Sequence, residues 1–357
     1  LQVDGAGDVT VDSVGALTLN AGSMTNLTVT AATSVTDAGA LIISDTANIN
    51  TSVAGGNIDL ANTTDSHLIT TLIANSGAGT VDVDTNAALF LGNITASAFT
   101  ADINGALTDT GRLTVSGLTD IDTSTANGVV TFNTNTHSLN TLQVASGSGD
   151  VLINETDGLT LQTTTTGDVT IDSVGALTLN ASSLNDLTIT AASSVTDAGA
   201  LTSTGSVSVD TSAANGNIDL DNNVHTIAAF SGNAGTGTID ILELDDLNLG
   251  ATTASALTIS SAGNITDTGV ITVSGATTLD TSTGNGNVDL DNNTHALNSL
   301  AVNAGTGTIT VSETDDLSLA TTIGSSLAVT VTGNGDVTDT GVITVSGTTT
   351  IDTSAME

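Results

Sequence analysis

The sequence GDVTVDSVGALTLN at residues 7–20 recurs almost unchanged as GDVTIDSVGALTLN at residues 167–180. A second stretch, SVTDAGAL, recurs with the same offset, at residues 34–41 and 194–201. Apolar and polar residues alternate inside these stretches, which is the two-residue period of a β-strand with one buried face. The sequence therefore predicts a chain made of repeated units of short strands.

A finer period lies inside the long repeat. The four histidines stand at positions 67, 137, 225 and 295, so the first and last steps between them are equal and the middle step is longer. The longer step predicts one extra structural rung near residues 167–180. A T-D-[A/T]-G signature follows nearly the same steps, and we expect its Asp to accept backbone hydrogen bonds in a turn and its Gly to adopt a positive φ. These structural turn pairs are Asp37 with Gly39, Asp109 with Gly111, Asp197 with Gly199, Asp267 with Gly269, and Asp339 with Gly341.

The strand runs are short, as in NIDL at residues 217–220 and TIDI at residues 238–241, and Gly, Asn and Asp clusters separate them. An array of β-sandwiches is the alternative fold, but 1% aromatic residues cannot fill sandwich cores. We therefore predict an all-β, single-stranded parallel β-helix (β-solenoid) with about 18 coils of roughly 20 residues. It forms one continuous repeat solenoid over residues 1–357, with repeat blocks at about 1–160 and 161–318 and a partial block at 319–357.

Side chains of the few phenylalanines should follow this pattern. Phe99, Phe132 and Phe230 align with leucines in the sister repeat, so we expect all three in the core. Phe90 lies between two leucines and should point outward.

Composition excludes several classes of function. The 357 residues include 1 Lys or Arg and 38 Asp or Glu, and the formal net charge is −37. Binding to nucleic acid requires many cationic side chains, so no nucleic-acid partner is expected. The chain has no Cys and therefore no disulfide. It also lacks an apolar run long enough for membrane insertion. Disorder is the rival reading at this charge, but 38% hydrophobic residues in alternating positions argue against it.

Acidic clusters are the main candidate sites, and they recur at equivalent repeat positions. Carboxylates in turns are ligands that Ca²⁺ prefers, so calcium is the one cofactor we consider. A pair of carboxylates also suits glycoside hydrolysis, but a catalytic site is normally unique, so we predict no enzyme and no catalytic residue. Each His stands far from the others and is interpreted as a turn residue that makes local hydrogen bonds. The calcium candidates are Glu155, Asp157, Glu243, Asp245, Asp246, Glu313, Asp315 and Asp316.

The GDVTIDSVGALTLNA-like rungs and the L-T-V-x-A-x-x-x-V-T-D-x-G runs resemble the shaft regions of filamentous-haemagglutinin-like and other giant bacterial β-strand-repeat surface adhesins. The resemblance covers nearly the whole chain. It implies a right-handed parallel β-helix on a bacterial surface, where the shaft projects a tip or builds a matrix. The N-terminal secretion domain of that family is not found in this sequence.

The functional expectation follows from fold and charge together. We expect a structural, extracellular shaft, filament or biofilm-matrix component at a bacterial cell surface. The repeat pattern continues to both ends without an evident cap, so we also expect self-association, head-to-tail or lateral, or continuation into a longer chain. The alternative is an adhesin that binds a glycan or a protein partner along the rod in a calcium-dependent way.

Overall fold

The computed structural model describes residues 1–5, 7–31, 33–61, 67–190 and 193–354. Contacts divide the chain into two compact units, Leu1–Gly175 and Ala176–Glu357. Within the described ranges the regular elements are β-strands, and none of these residues forms a helix long and apolar enough to cross a membrane. The boundary between the units falls after the predicted repeat boundary at residue 160, by less than one coil.

The strands of the first unit are short and closely spaced along the chain. They are β1 Val9–Ser13, β2 Leu17–Leu19, β3 Gly22–Met24, β4 Leu27–Ala31, β5 Val35–Asp37, β6 Leu41–Asn50, β7 Ile58–Leu60, β8 Leu68–Asn75, β9 Thr80–Thr85, β10 Leu89–Ala96, β11 Ala98–Ile103, β12 Leu107–Asp109, β13 Leu113–Asp122, β14 Val130–Gly147, β15 Val151–Glu155, β16 Leu159–Thr165 and β17 Val169–Ser173.

The second unit repeats the same alternation of short and bent strands. Its strands are β18 Ala176–Leu179, β19 Ser182–Leu184, β20 Leu187–Thr190, β21 Ser194–Asp197, β22 Leu201–Asp210, β23 Ile218–Asn233, β24 Thr238–Glu243, β25 Leu247–Ala254, β26 Ala256–Ser261, β27 Ile265–Asp267, β28 Ile271–Asp280, β29 Val288–Asn303, β30 Thr308–Glu313, β31 Leu317–Gly324, β32 Ser326–Val331, β33 Val337–Asp339, β34 Ile343–Val345 and β35 Thr349–Asp352.

Each unit is a parallel β-solenoid, as predicted. One coil of the second unit shows the construction: β24 is followed by β25, whose two halves form two faces, and β26 then lies directly over β24. Ile239 pairs with Leu257 at the same position of the next coil, so one coil contains three strand segments. Because every pairing is parallel, the main chain of each coil bonds to the coils before and after it.

Coil length varies more than the sequence period predicts. Val9 pairs with Leu27 in one coil, and Ile42 pairs with Leu68 in another. The second pair is separated by more residues of chain than the first, so the second coil is longer. The longer coils carry loops between their strands. The two units together hold about 17 coils of about 20 residues, close to the predicted 18.

The core is an aliphatic ladder, and alternation along each strand produces it. In β24 the side chains of Ile239 and Ile241 are at most 2% exposed. The larger aromatic side chains follow the prediction: Phe99, Phe132 and Phe230 are fully buried, and Phe90 is 43% exposed.

The glycine of the T-D-[A/T]-G signature serves a different purpose from the predicted one. Gly39, Gly111, Gly199, Gly269 and Gly341 do not have positive φ values. They are required because the neighbouring coil passes very close: a Cβ on Gly111 would lie 2.5 Å from the backbone nitrogen of Asn93. The expectation of positive φ was wrong, because it considered the turn alone and not the coil packed against it.

Among the described residues other than glycine, positive φ occurs in a set of loops that each connect two strands. Asn127, Asn215 and Asn285 have φ values of 52°, 54° and 57°. Each loop is closed by a threonine hydroxyl that donates a hydrogen bond to a glycine carbonyl, as from Thr211 Oγ1 to Gly216 O at 2.6 Å. These loops account for some of the longer coils.

Candidate functional site

The buried histidine of each repeat ties one coil to the coil before it. His225 is fully buried, and its Nδ1 accepts a hydrogen bond of 2.9 Å from the backbone N–H of Leu201. Nε2 faces Oδ2 of Asp197 at 3.7 Å. Because Nδ1 acts as an acceptor, the ring is neutral and carries its proton on Nε2.

The signature aspartate bonds to the following coil and not to its own turn. Asp197 Oδ1 accepts the backbone N–H of Asn222 at 3.1 Å, and Oδ2 accepts the side-chain amide of Asn223 at 2.7 Å. Its side chain is buried beside the histidine. The predicted acceptor role is therefore right in kind, but the donors belong to another coil and not to the turn itself.

The third member is a glutamate one coil beyond the histidine. Glu243 pairs in register with His225 and is 2% exposed. Its Oε2 accepts the backbone N–H of Ile227 and its Oε1 that of Leu244, both at 3.0 Å. Burial raises the pKa of Glu243 to about 8, although these N–H groups act in the opposite direction.

We call each such set of Asp, His and Glu on three successive coils a polar column. Three columns have the same composition, and the interpretation of their histidines as turn residues was wrong: all are fully buried. The matching bonds run from Leu113 N–H to His137 and from Ile271 N–H to His295, both 3.0 Å. The columns are Asp109–His137–Glu155, Asp197–His225–Glu243 and Asp267–His295–Glu313.

A signal for the columns was present in the sequence. The distance from His to the following Glu is the same in all three columns and equals the length of the shorter coils, and both residue types occupy inward-facing positions of the alternation. Isolated polar residues at a constant spacing of one coil indicate partners that stack on each other.

The first column differs from the other three. His67 Nδ1 accepts the N–H of Leu41 at 2.9 Å, and its Nε2 lies 3.3 Å from Asp37 Oδ2 and 3.7 Å from Asp84 Oδ1. Thr85 occupies the position of the glutamate, and its hydroxyl donates to the carbonyl of Ala87 at 2.6 Å. Asp84, which immediately precedes Thr85, is therefore a second aspartate near this histidine. The other columns have no aspartate at this position and have a glutamate at the position of Thr85.

Burial also acts on the histidines. It lowers the pKa of His137, His225 and His295, although the aspartate of each column favours the charged ring. In this environment the neutral imidazole is the stable form.

The calcium candidates are divided between inside and outside. Glu155, Glu243 and Glu313 point into the core with both carboxylate oxygens bound to backbone N–H groups, so they are not arranged as metal ligands. The neighbouring aspartates are exposed in the turns, and calcium binding there stays a prediction. Among the residues that the structure describes, no three His, Asp or Glu side chains converge as a metal-binding group. The exposed aspartates are Asp157, Asp245, Asp246, Asp315 and Asp316.

One outer face of the first unit carries an acidic ladder. Six aspartates lie on the outward side of strands that pair with each other. Asp59 pairs with Asp82. Asp102 pairs with Asp84 on one side and with Asp122 on the other. Neighbouring strands lie roughly 4.8 Å apart, so the carboxylates repel each other. Burial and this repulsion raise the pKa of Asp84 to about 6 and also raise those of three others. The six are Asp59, Asp82, Asp84, Asp102, Asp120 and Asp122, and the three are Asp82, Asp102 and Asp120.

At the six equivalent positions the second unit has three carboxylates, and Asp221 lies beside one of them, Asp219. Its pairings are equivalent: Asp219 with Asp240, and Leu242 with Ser260, which pairs with Asp280. Thr278 stands where the first unit has Asp120. The backbone register is thus repeated while the outward charge is not.

Shallow grooves recur at one corner of the second unit. One, of about 480 Å³, is lined by Thr202, Thr204, Thr226 and the pair Asp245 and Asp246. A groove of about 330 Å³ recurs in the next repeat and includes the pair Asp315 and Asp316. Hydroxyl and carboxylate groups at such a surface suit polar ligands.

A family model described as repeats of unknown function (DUF5649) matches the chain five times, at residues 6–73, 78–146, 166–234, 234–303 and 306–356. The matches leave residues 147–165 between the second and third repeats, which is where the longest step between histidines falls. No curated protein and no solved structure matches the chain.

Proposed function

Because the chain belongs to the DUF5649 repeat family, we propose that its repeats form a structural shaft or matrix component at a bacterial surface. The observation that carries this proposal is the parallel pairing of the described strands from coil to coil within each unit, over a core that is mainly aliphatic. Each coil adds main-chain hydrogen bonds and buried aliphatic area against its neighbours, so resistance to deformation grows with the number of coils. The resemblance to adhesin shafts supports the surface location.

Charge supports the same proposal. A net charge of −37 keeps separate molecules apart at low ionic strength, and salt or divalent cations screen that repulsion. With Arg112 as the one Lys or Arg of the sequence, the chain offers a single site for trypsin-like proteases, which suits a protein exposed outside the cell. We propose that the shafts associate with each other when screened.

Electron microscopy of the purified chain tests the structural part. We expect stiff rods, which join into bundles or continuous fibres as NaCl or CaCl₂ is added. Flexible or compact particles under all conditions would contradict the shaft, and rods that stay separate would contradict self-association.

Location is tested separately on cells of the source organism. An antibody raised against the chain should label intact cells as strongly as permeabilised cells. Labelling that requires permeabilisation would contradict a surface role.

The second candidate function is an adhesin that binds a glycan along its length, and the recurring grooves favour it. A glycan array with and without calcium tests this. Binding that is lost in Asp245→Ala/Asp246→Ala but kept in the exposed control Asp172→Ala would support the groove. Equal binding by both variants would place the ligand elsewhere, and the absence of any bound glycan would contradict the candidate.

A further inference from the structure

Each column histidine is bound in a way that only its neutral form allows. The lone pair of His225 Nδ1 already accepts the Leu201 N–H at 2.9 Å. A protonated imidazole carries hydrogen on both nitrogens, so a proton on Nδ1 would face the hydrogen of Leu201 and this bond would be lost. Both groups are buried, so water does not replace the lost partner, and a buried donor without a partner is costly.

The groups around the ring compensate only in part. Each of the three rings meets one aspartate at Nε2, 3.6–3.7 Å away, on the strand before it, and a glutamate pairs with it in register on the strand after it. The positive charge of Arg112 also acts on His137 and disfavours the charged form of the ring. The facing groups are Asp109, Arg112 and Glu155 for His137, Asp197 and Glu243 for His225, and Asp267 and Glu313 for His295.

We propose that His137, His225 and His295 are acid-operated release points, at which protonation of the ring detaches one coil from the coil before it. The bond concerned joins a ring to the start of a strand: Leu113 begins β13, Leu201 begins β22 and Ile271 begins β28. Loss of the bond therefore frees the first residue of a strand that continues the main-chain ladder. The same construction in three repeats makes the response cumulative.

The direction of the pH effect follows from the lowered pKa values. In the unfolded chain these histidines take up protons near pH 6.5, whereas the folded chain resists protonation. Their contribution to stability is complete above pH 6.5 and is lost as the pH falls. The three buried glutamates act in the opposite sense, since their stabilising contribution is complete near pH 4.5 and is lost as the pH rises toward 7 for Glu313 and toward 8 for Glu155 and Glu243.

Because the two effects overlap, the test compares variants and not the bare pH profile. The triple variant His137→Asn, His225→Asn and His295→Asn keeps an amide oxygen near the position of Nδ1 and removes the titration. Between pH 6.5 and 4.5 we expect its Tm to rise relative to the unaltered chain by about 2–5 °C per pH unit. Parallel Tm profiles of the two proteins would overturn the proposal.

The unaltered chain provides a second test that does not depend on the variant folding. It has only four histidines, so ¹⁵N NMR of the ring nitrogens is readable. We expect three rings that keep the proton on Nε2 at pH 7, and amide protons of Leu113, Leu201 and Ile271 that lose protection from hydrogen exchange at least tenfold more than those of Val115, Val207 and Val273 on acidification to pH 4.5. Equal loss at both sets, or rings that become charged while the three amides stay protected, would overturn it.

Discussion

Three of the four polar columns inside the solenoid have the same residues, whereas the acidic ladder on the outside keeps three of its six carboxylates in the second unit. Asp197–His225–Glu243 and Asp267–His295–Glu313 make the same histidine and glutamate hydrogen bonds, all at 2.9–3.0 Å. On the outer face, by contrast, six aspartates in the first unit correspond to three in the second. The inner groups are constrained by the hydrogen-bond partners on the coils before and after them, whereas most of the outer groups are constrained only by solvent and by neighbouring charge.

Removal of an inner group is expected to have the largest effect. Glu243→Ala leaves the N–H groups of Ile227 and Leu244 without their acceptor and opens a cavity. We expect it to lower the free energy of unfolding by about 3 kcal/mol in urea denaturation. The exposed control Asp172→Ala should change it by less than about 0.5 kcal/mol. Similar losses from both would contradict the distinction between inside and outside.

Transfer of the second unit's outer residues into the first is expected to stabilise it. The variant Asp84→Leu/Asp102→Ser/Asp120→Thr copies Leu242, Ser260 and Thr278. These aspartates have raised pKa values, so their stabilising contribution is complete below pH 3.8 and is lost as the pH rises toward 6. After allowance for solvent screening, we expect a gain of about 2 kcal/mol at pH 8 that vanishes near pH 3.5.

The control for that transfer removes three aspartates outside the ladder and so changes the net charge equally. Asp45→Asn/Asp150→Asn/Asp172→Asn should leave the free energy of unfolding at pH 8 within about 0.5 kcal/mol of the unaltered chain. An equal gain in the control would show that total charge matters and that the ladder does not.

One residue, Asp84, belongs to the acidic ladder and also lies beside the histidine of the first column. Asp84 faces both Asp102 and His67, and its pKa is raised to about 6, first by burial. Asp84→Asn should raise the free energy of unfolding at pH 8 by about 1 kcal/mol, measured by thermal melting, and should have no effect at pH 3.5. A loss at pH 8 would mean that attraction to His67 outweighs burial and repulsion.

Salt should give the smallest effect. An increase of NaCl from 0.1 to 1 M shortens the screening length to about 3 Å and weakens repulsion along the ladder. We expect the unaltered chain to gain about 0.5 kcal/mol more than the triple transfer variant in urea denaturation. Identical gains would indicate that the ladder is already screened at low salt.

Periodicity was enough to predict the coil, because inward and outward positions alternate in every strand. The buried Phe132 and the exposed Phe90 follow from that rule alone. The alternation rule does not explain Gly111, which is needed because the backbone of Asn93 in the preceding coil lies very close to it. The residues on either side of a glycine do not show which part of the neighbouring coil packs against it. A turn conformation can be predicted from them, but a close approach of another coil cannot.

The columns were missed for the same physical reason. Asp197, His225 and Glu243 are each separated by a coil or more of chain, and the constant spacing from His to Glu is the one sign along the sequence that they are related. These residues come into contact only because successive coils stack in one particular register. A difference of a single residue in the length of a coil would change that register. The neutral state of the ring, which depends on the Leu201 N–H, requires coordinates.

The loops closed by a threonine hydroxyl have a practical consequence for protein engineering. In the loop Thr211–Gly216 the closing hydrogen bond joins the first and last residues, so the positions of the two flanking strands do not depend on the residues at the tip of the loop. Foreign peptides spliced at Ala213–Ala214 and at Thr283–Gly284 would be displayed at equivalent points of consecutive repeats on a common scaffold, as a regularly spaced vaccine or enzyme array.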